Sequence, residues 1–384
     1  MSKTNQFSTS LIFSDQQKDL IHHVAFDHHG RRVATSSSDM MVCVWDLSSN
    51  NTWIKTASWK SHGGPVWKVV WAHPEFGQIL ATCSFDRCVN IWEETVTNLD
   101  ERVTRSGVHC GKARPQTQWK RRTQLVDSRH NVTDIEFAPR HLGLTLATVS
   151  SQGVVRIYEA QDIMNLSMWN LNHELSPFKH RCGTLTWSSN RYTKPLLAIG
   201  SDATIIPENA QLPFRRVIIY EYHDNLRKWQ ALDASSLKSI TDRVTHPVSD
   251  MAFAPSAGRS YHILAIASKE VVIYKLSEQN KKTDVHGEQI DTGEPTDYDV
   301  QLLSCVGENS SSYIQIWRLS WNITGTVLTA GSSDGTVQIW KSALLNQWTL
   351  IGKLKAVDEV QPQIDDPRTT TSVSALTKEN NVYY

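Results

Sequence analysis

The residues most able to do chemistry fall in one stretch, from Trp59 to Glu93, and they are His62, Ser84, Asp86 and Trp92. A histidine can serve as a general base when a neighbouring group orients it. The same side chains can also form a buried hydrogen-bonded set, because a buried imidazole needs polar partners. Walker-type Gly-Lys-Ser/Thr and His-Glu-x-x-His motifs are absent from the sequence. We therefore interpret the four residues as a structural staple and predict that the protein is not an enzyme.

Two pairs of adjacent histidines raise the question of a metal site: His22–His23 and His28–His29. Neighbouring residues of a strand point to opposite faces, so the first pair cannot readily share one ion. The second pair belongs to the sequence DHHG, which is typical of a turn, where polar residues are expected. We predict neither a metal site nor a cofactor.

The sequence WKRRTQ, from Trp119 to Gln124, sets three cations beside an aromatic ring and could contact phosphate. In a strand, Lys120 and Arg122 point to one side and Arg121 to the other, as on a solvated sheet edge. The whole chain carries 39 basic and 39 acidic residues, so no overall field attracts nucleic acid. No apolar run approaches the roughly 18–20 residues of a membrane span. We expect neither direct nucleic-acid binding nor membrane insertion.

The element that positions the staple is a three-strand meander. Residues 66–71, then ILATCS, then CVNIW are runs rich in β-branched and aromatic residues, and turn sequences separate them. His62 precedes the first run and Ser84 ends the second. Asp86 occupies the second turn, and Trp92 closes the third run. This pattern is that of one blade of a WD-repeat β-propeller.

The meander repeats along the chain. An aromatic residue closes each of six copies, at Trp45, Trp92, Tyr158, Tyr220, Tyr274 and Trp340. In three copies an acidic turn residue stands six positions before the closing Trp: Asp39, Asp86 and Asp334. A fourth, outer strand follows each closing aromatic, for example TWIKTASW and QWTLIGKL. The sequence therefore predicts an all-β fold, a six-bladed WD-repeat β-propeller.

The propeller is predicted to span residues 15–356, with blades ending near 60, 126, 175, 234, 306 and 355. Residues 1–14 form an N-terminal arm that contains a strand candidate, FSTSLIF. Polar, charged or Gly/Pro-rich insertions interrupt the repeats at 96–116, 201–213 and 277–299. The tail, 357–384, is rich in Thr, Ser and Asn and is predicted to be disordered.

The place of FSTSLIF decides whether the ring is closed. Blade six supplies four strands of its own, so one interpretation is an open ring that a partner completes by adding strands. The residues that we predict to line this partner-binding seam are Phe7, Leu11, Phe13, Trp317 and Trp321. The alternative is a ring that FSTSLIF latches, with QWTLIGKL as a loop.

Longer stretches resemble one family. DLIHHVAFDHHGRRVATSSSD, TASWKSHGGPVWKVVWAHPEFGQILATCSFDR and GRSYHILAIASK are similar to the WD-repeat family that contains a nuclear pore propeller and a vesicle-coat propeller. The resemblance covers roughly residues 15–350. MNLSMWNL and RLSWNITGT favour the nuclear pore branch, whereas AHPEFG is similar in both. The resemblance implies an open six-bladed ring that an α-solenoid partner completes in trans with a blade.

By the same resemblance, the protein is expected to be a non-catalytic scaffold subunit of the Y-shaped outer-ring complex of the nuclear pore. Its partners would be an α-solenoid nucleoporin and other subunits of that complex. A propeller-solenoid subunit of the amino-acid-responsive complex that regulates the TOR kinase is a further expected partner. The expected location is the nuclear envelope, with the lysosomal surface and the kinetochore as further places. A vesicle-coat propeller and an interaction hub such as a ubiquitin-ligase adaptor are the alternatives.

Six cysteines lie mostly in predicted strands and lack Cys-x-x-Cys spacing. This usage favours reduced core thiols in the cytosol or the nucleus, which agrees with the expected location.

Overall fold

The computed structural model describes residues 17–97, 116–204, 214–256, 258–279, 296–306, 315–343 and 347–355. In these residues twenty-four β-strands form six antiparallel sheets of four strands each, and one short helix, α1 (Lys238–Arg243), lies between blades four and five. The chain is thus an all-β, six-bladed propeller, as predicted. The arm 1–14, the tail 357–384 and most of the 277–299 insertion lie outside the described residues.

Each blade consists of four strands that are consecutive in the chain, from the innermost to the outermost. Blade one contains β1 (Ile21–Phe26), β2 (Arg32–Ser37), β3 (Met41–Leu47) and β4 (Trp53–Lys60). Blade two contains β5 (Val66–Trp71), β6 (Ile79–Ser84), β7 (Val89–Thr97) and β8 (Gln116–Leu125). Blade three contains β9 (Val132–Phe137), β10 (Thr145–Ser150), β11 (Val155–Ala160) and β12 (Trp169–Leu175).

The remaining three blades follow the same order. Blade four contains β13 (Thr184–Trp187), β14 (Leu196–Gly200), β15 (Val217–His223) and β16 (Lys228–Ala231). Blade five contains β17 (Asp250–Phe253), β18 (Tyr261–Ala267), β19 (Val271–Glu278) and β20 (Tyr298–Val306). Blade six contains β21 (Ile316–Trp321), β22 (Val327–Ser332), β23 (Thr336–Ser342) and β24 (Trp348–Lys355). The QWTLIGKL segment therefore forms a strand, β24, which pairs with β23 and completes blade six from its own repeat.

The turn between the second and third strands explains the regular spacing of the acidic residue and the closing Trp. The residue after the aspartate has a left-handed backbone, with φ of 67° at Met40, 71° at Arg87 and 73° at Gly335. The aspartate side chain accepts the N–H two positions further on, at 2.9 or 3.0 Å, in the pairs Asp39–Met41, Asp86–Cys88 and Asp334–Thr336. This bond offsets part of the cost of the left-handed residue and fixes the register of the hairpin.

Most of the core of the described residues lies between neighbouring blades, and a small cluster of Val33, Cys43 and Trp45 lies within blade one. Five clusters of buried apolar side chains join blades one and two, two and three, three and four, four and five, and five and six. An indole N–H also bonds an inner-strand carbonyl of the preceding blade in three places: Trp71 to Ala25, Trp187 to Glu136, and Trp321 to Ala252. The five interfaces therefore combine apolar burial with satisfied polar groups.

The junction between blades six and one differs from the other five. Innermost strands pack against one another from β1 through β5, β9, β13 and β17 to β21, whereas among the described strands β21 and β1 lack comparable packing. The middle strand β22 is buried at Leu328 and Ala330 but only partly at Val327 and Thr329, so one face of blade six is incompletely covered. We call this junction the seam.

Candidate functional site

The staple of blade two is a continuous chain of hydrogen bonds through the interior. His62 Nδ1 lies 3.0 Å from Asp86 Oδ2, and His62 Nε2 lies 2.8 Å from Thr82 Oγ1. The indole N–H of Trp92 donates to the same Thr82 oxygen at 3.2 Å. These partners fit an imidazole that donates from Nδ1 to the carboxylate and accepts the Thr82 hydroxyl proton at Nε2. Each polar side-chain atom of this hydrogen-bonded set has a partner within blade two.

Sequence reasoning placed Ser84 in the staple, but the structure places Thr82 there. Ser84 Oγ instead donates to the Pro65 carbonyl at 2.7 Å and accepts the Asp86 backbone N–H at 3.2 Å. Ser84 therefore holds the turn that carries Asp86, and Thr82 joins the imidazole to the indole. Thr82 and Ser84 lie two positions apart on β6, so both point to the same face of the sheet. The alternation of residues therefore does not distinguish them, and Thr82 was missed.

The carboxylate of Asp86 is held in its ionised form. It accepts the backbone N–H of Gly63 at 2.9 Å and that of Cys88 at 3.0 Å, in addition to the His62 contact. Burial alone would raise the pKa of Asp86, but these hydrogen bonds outweigh it and lower the pKa to about 2.

Other blades keep only parts of the staple. In blade one the Trp45 indole donates to Thr35 Oγ1 at 3.3 Å, and in blade six Asp334 accepts only the N–H and hydroxyl of Thr336. In blade three the Tyr158 hydroxyl donates to Asp127 at 2.9 Å. The full chain of His, Thr, Asp and Trp is therefore a feature of blade two among the described blades.

The inner strands line a central channel of about 800 Å³ that carries several charged side chains. Lys68 Nζ pairs with Asp134 Oδ1 at 2.5 Å, and Glu136 faces the same space. Burial would lower the pKa of Lys68, but the carboxylates of Asp134 and Glu136 outweigh it and raise that pKa. Enclosure by the strands raises the pKa of Glu136 to about 8, even with Lys68 nearby. Sequence reasoning did not identify these groups, although Lys68 and Asp134 occupy matching positions in their repeats.

The two histidine pairs differ in their surroundings. His22 and His23 both line the channel, and His22 Nε2 also bonds the Ser38 hydroxyl at 2.6 Å. His28 and His29 lie in an exposed turn. In the part of the chain that the structure describes, no three His, Cys, Asp or Glu side chains are arranged to hold a metal ion.

The cations of WKRRTQ lie on β8, the outer strand of blade two. The Trp119 ring is buried against Trp59, with ring centres 5.5 Å apart, and does not present a surface for a base. Arg122 pairs with Glu93 at 2.5 Å, which neutralises one of the three charges. Within the described residues, no helix has the length and apolar character needed to cross a membrane.

One sequence fits the pattern Gly-x-Ser-x-Gly of a nucleophile elbow: Gly331 to Gly335. In the structure it is the turn between the antiparallel strands β22 and β23, not a strand-to-helix turn. The Ser333 hydroxyl accepts the backbone N–H of Gln315 at 3.1 Å, which links the turn to the start of blade six. The segment is thus a blade turn of the same kind as that of Asp86.

The two described residues that were predicted to line the seam, Trp317 and Trp321, lie in different places. Trp321 packs between blades five and six, where its indole N–H donates to the Ala252 carbonyl at 3.0 Å. Trp317 is 53% exposed and lines a second cavity with residues of blades three to five, including Arg181 and Lys269. Phe7, Leu11 and Phe13 lie outside the described residues. Their role in partner binding stays a prediction.

The side chains that the structure does place at the seam come from blade one and blade six. On β1, Val24 and Phe26 point away from blade two, because Ala25 between them packs into the cluster of blades one and two. Phe26 is 61% exposed. On blade six, Val337 and Ile339 pair with Gly331 and Thr329 on the incompletely covered face. The seam therefore exposes apolar side chains of β1 and of blade six, whereas Val33, Cys43 and Trp45, on the same face of blade one as Phe26, are buried.

Six four-stranded blades, the turn aspartates and the staple of blade two define the class of the protein as a WD-repeat β-propeller. The family described as WD domain, G-beta repeat matches residues 8–46, 53–93 and 301–341. Nucleoporin SEH1-A of Xenopus laevis and nucleoporin SEH1 of Homo sapiens are each 48% identical to the chain over 340 residues, which cover 88% of this chain and 86% of each relative. Nucleoporin SEH1 of Danio rerio is 46% identical over 88% of the chain and 85% of its own length. The chain belongs to the nucleoporin SEH1 family.

Proposed function

We propose that this protein is a non-catalytic scaffold subunit of the nuclear pore complex, within its Y-shaped outer ring. The observation that carries the proposal is the 48% identity over 88% of the chain to proteins named nucleoporin SEH1. The similarity extends over the propeller as a whole, so it includes the surfaces of several blades and not only the repeat signature. The fully bonded staple supports a structural use of His62 and Asp86.

We further propose that an α-solenoid nucleoporin completes the ring by donating a blade in trans. The incompletely covered face of β22 and the exposed Phe26 on β1 support this part of the proposal. Strands added at the seam would gain main-chain hydrogen bonds and cover apolar side chains on both flanks. Obligate interfaces of this kind commonly exceed about 2,000 Å².

The family resemblance extends the proposal to a second assembly, the amino-acid-responsive complex that regulates the TOR kinase. There a subunit that combines a propeller with an α-solenoid would occupy the same seam. The proposed locations are the nuclear pore, the lysosomal surface and the kinetochore. Because one surface would serve both assemblies, binding of the two solenoid partners would be mutually exclusive.

The test is affinity purification of the tagged full chain from its own cells, with identification of the bound proteins by mass spectrometry. We expect pore-ring nucleoporins, among them one with an α-solenoid, in amounts close to that of the tagged chain. A nuclear rim signal of a fluorescent fusion would agree with this result. Recovery of vesicle-coat subunits or ubiquitin-ligase components in place of nucleoporins would contradict the proposal and favour one of the alternatives.

A further inference from the structure

One position of the innermost strand is equivalent in all six blades. In each blade the residue at this position pairs with a residue that directly precedes a serine. That serine either ends the second strand or directly follows it. The pairs are His23–Ser36, Lys68–Cys83, Asp134–Val149, Thr184–Gly200, Asp250–Ala267 and Arg318–Gly331. We call this position the channel position. Two cations, two carboxylates, one hydroxyl and one imidazole occupy it around the ring.

In blades two to five, the side chain at the channel position reaches the next blade. Lys68 pairs with Asp134 at 2.5 Å, and Asp134 Oδ2 accepts the Leu185 backbone N–H at 3.0 Å. The Thr184 hydroxyl then donates to Asp250 Oδ1 at 3.4 Å, and Asp250 Oδ2 accepts the Leu319 N–H at 2.8 Å. Each contact crosses from one blade to the following one, so the channel position links consecutive blades.

Arg318 is the channel residue of blade six, the last blade before the seam. Its guanidinium is 3.9 Å from Asp250 Oδ1 in the preceding blade, and its side chain remains 49% exposed. Both Asp250 oxygens already accept closer N–H donors, from Met251 at 3.0 Å and from Leu319 at 2.8 Å. The charge of Arg318 is therefore weakly compensated within its own chain.

The channel position of blade one holds an imidazole, His23, and not a carboxylate, while the carboxylate of Asp19 acts on His22. Burial, together with the positive charge of Arg318, lowers the pKa of both His22 and His23, and Lys68 contributes further at His23. His23 lies on the same side of β1 as Ala25 and faces β5 of blade two, where Lys68 and Val69 influence its pKa. The seam is thus positively charged on the side of Arg318.

We propose that the strand that closes the seam carries an aspartate or glutamate at its channel position, facing Arg318. The geometry of blades two and three is the precedent, since the cation Lys68 is followed by the carboxylate Asp134 in the next blade. The FSTSLIF segment of this chain contains no acidic residue and does not supply this chemistry, so the proposal assigns it to a strand of the partner. This inference rests on the proposed completion of the ring in trans and specifies the chemistry of the inserted strand.

The test uses the full chain and the strand-donating subunit that the affinity purification recovers, both as recombinant proteins. Arg318→Glu is expected to weaken the complex by more than about tenfold in Kd, because it opposes two carboxylates in an enclosed site. Lys353→Glu is the matched control, since Lys353 is an exposed cation on β24 of the same blade, away from the channel, and it should change Kd by less than about twofold. Each Asp and Glu of the partner's inserted segment is then replaced by Lys in turn, and one replacement should restore binding to the Arg318→Glu chain.

Thermal melts of the free variants separate folding from binding. If Arg318→Glu does not fold, Arg318→Gln is combined with Asp→Asn or Glu→Gln changes in the partner, and the double-mutant cycle should show coupling at one position. Wild-type affinity of Arg318→Glu, or absence of any restoring or coupled position, would overturn the inference while leaving ring completion in place. Failure to recover a strand-donating subunit would instead refute the proposed function.

Discussion

The hydroxyl of Thr82 joins three parts of blade two that are far apart in the chain. It connects His62, which precedes the inner strand, to Trp92, which closes the third strand, and through the imidazole to Asp86 in the turn. A buried imidazole without these partners would have to keep desolvated nitrogens, at a cost of about 1–3 kcal/mol each. The staple is therefore expected to stabilise the blade chiefly by preventing that loss.

Removing the turn carboxylate tests the staple directly. Asp86→Ala should lower the free energy of unfolding by about 1–3 kcal/mol, because His62 Nδ1 loses its acceptor. Asp334→Ala is the control, since Asp334 holds the same turn position in blade six without a histidine partner. Urea denaturation at pH 7 would measure both. Equal losses for the two variants would show that only the turn, and not the staple, contributes.

The loss of stability caused by Asp86→Ala is expected to depend on pH. Because the folded pKa of Asp86 is lowered to about 2, its contribution is complete above the unfolded value near 4 and is lost as the pH falls towards 2. The stability difference between the wild type and Asp86→Ala should therefore shrink between about pH 4 and pH 2. A difference that stays constant over this range would contradict the lowered pKa.

Replacing the shared hydroxyl with a methyl group of similar shape is the second test at this scale. Thr82→Val should cost about 1–3 kcal/mol, because both His62 Nε2 and the Trp92 indole lose their common partner. Thr35→Val in blade one loses only the bond from Trp45 and should cost about 1 kcal/mol. Thermal melts of the two variants compare these costs, and a larger loss at Thr35 would rule out the central role of Thr82.

His62, Asp86 and Trp92 were identifiable from their types and their spacing in the repeat. The choice between Thr82 and Ser84 was not, because period-two alternation places both on one face of β6, and only the depth of each residue along the strand decides which hydroxyl meets the imidazole. Ser84 lies two residues nearer the turn than Thr82, and there its hydroxyl donates to the Pro65 carbonyl.

At the scale of elements, the innermost strands determine how blades are joined. Each approaches its neighbours closely around the channel, so a charged residue there is taken out of water and needs a partner from the next blade. Lys68 and Asp134 satisfy each other in this way. Glu136, two residues further along β9, lines the same channel and has a raised pKa because of its enclosure.

Glu136 makes stability depend on pH in the direction opposite to that of Asp86. Its folded pKa of about 8 exceeds the usual 4.5, so the folded state binds the proton more tightly and stability falls as the pH rises from about 5 to 8. Glu136→Gln removes this ionisation and should leave the melting temperature less sensitive to pH over that interval. Melts of both proteins at pH 5, 6.5 and 8 would measure the effect, and parallel curves would refute it.

The number of blades followed from the closing aromatics and the turn aspartates, and the strand positions followed from the apolar runs. The face to which each inner-strand residue points could not be predicted in the same way. In β21 the pairing register shifts between Ile316 and Arg318, so Trp317 is displaced from the regular alternation and lines a cavity, while Trp321 packs against blade five. The same register shift occurs near the start of β1 and β5, and it is not encoded in the alternation of residue types along a single strand.

At the scale of the whole molecule, the ring has five well-packed interfaces and one junction with exposed apolar side chains. A partner that binds only the folded chain at this junction would add to its stability, by about 2.7 kcal/mol when present at a hundredfold excess over Kd. The melting temperature of the chain is then expected to rise with the concentration of the strand-donating subunit. The seam would thus link assembly to stability.

The seam can be probed without disturbing the core by changing Phe26, which is 61% exposed on the face of β1 that points away from blade two. Phe26→Ser loses only an edge contact with Trp53, at 6.0 Å between ring centres, so the free chain should lose less than about 1 kcal/mol of stability. If a donated strand covers this side chain, the same change should weaken the complex by about 2–4 kcal/mol, as loss of a buried aromatic anchor does. Phe85→Ser is the matched control, because Phe85 is 58% exposed in the turn between β6 and β7 of blade two, away from the seam. Calorimetric titration of both variants with the strand-donating subunit would compare them, and an equal loss of affinity, or none at Phe26, would show that blade one does not form a flank of the partner's site.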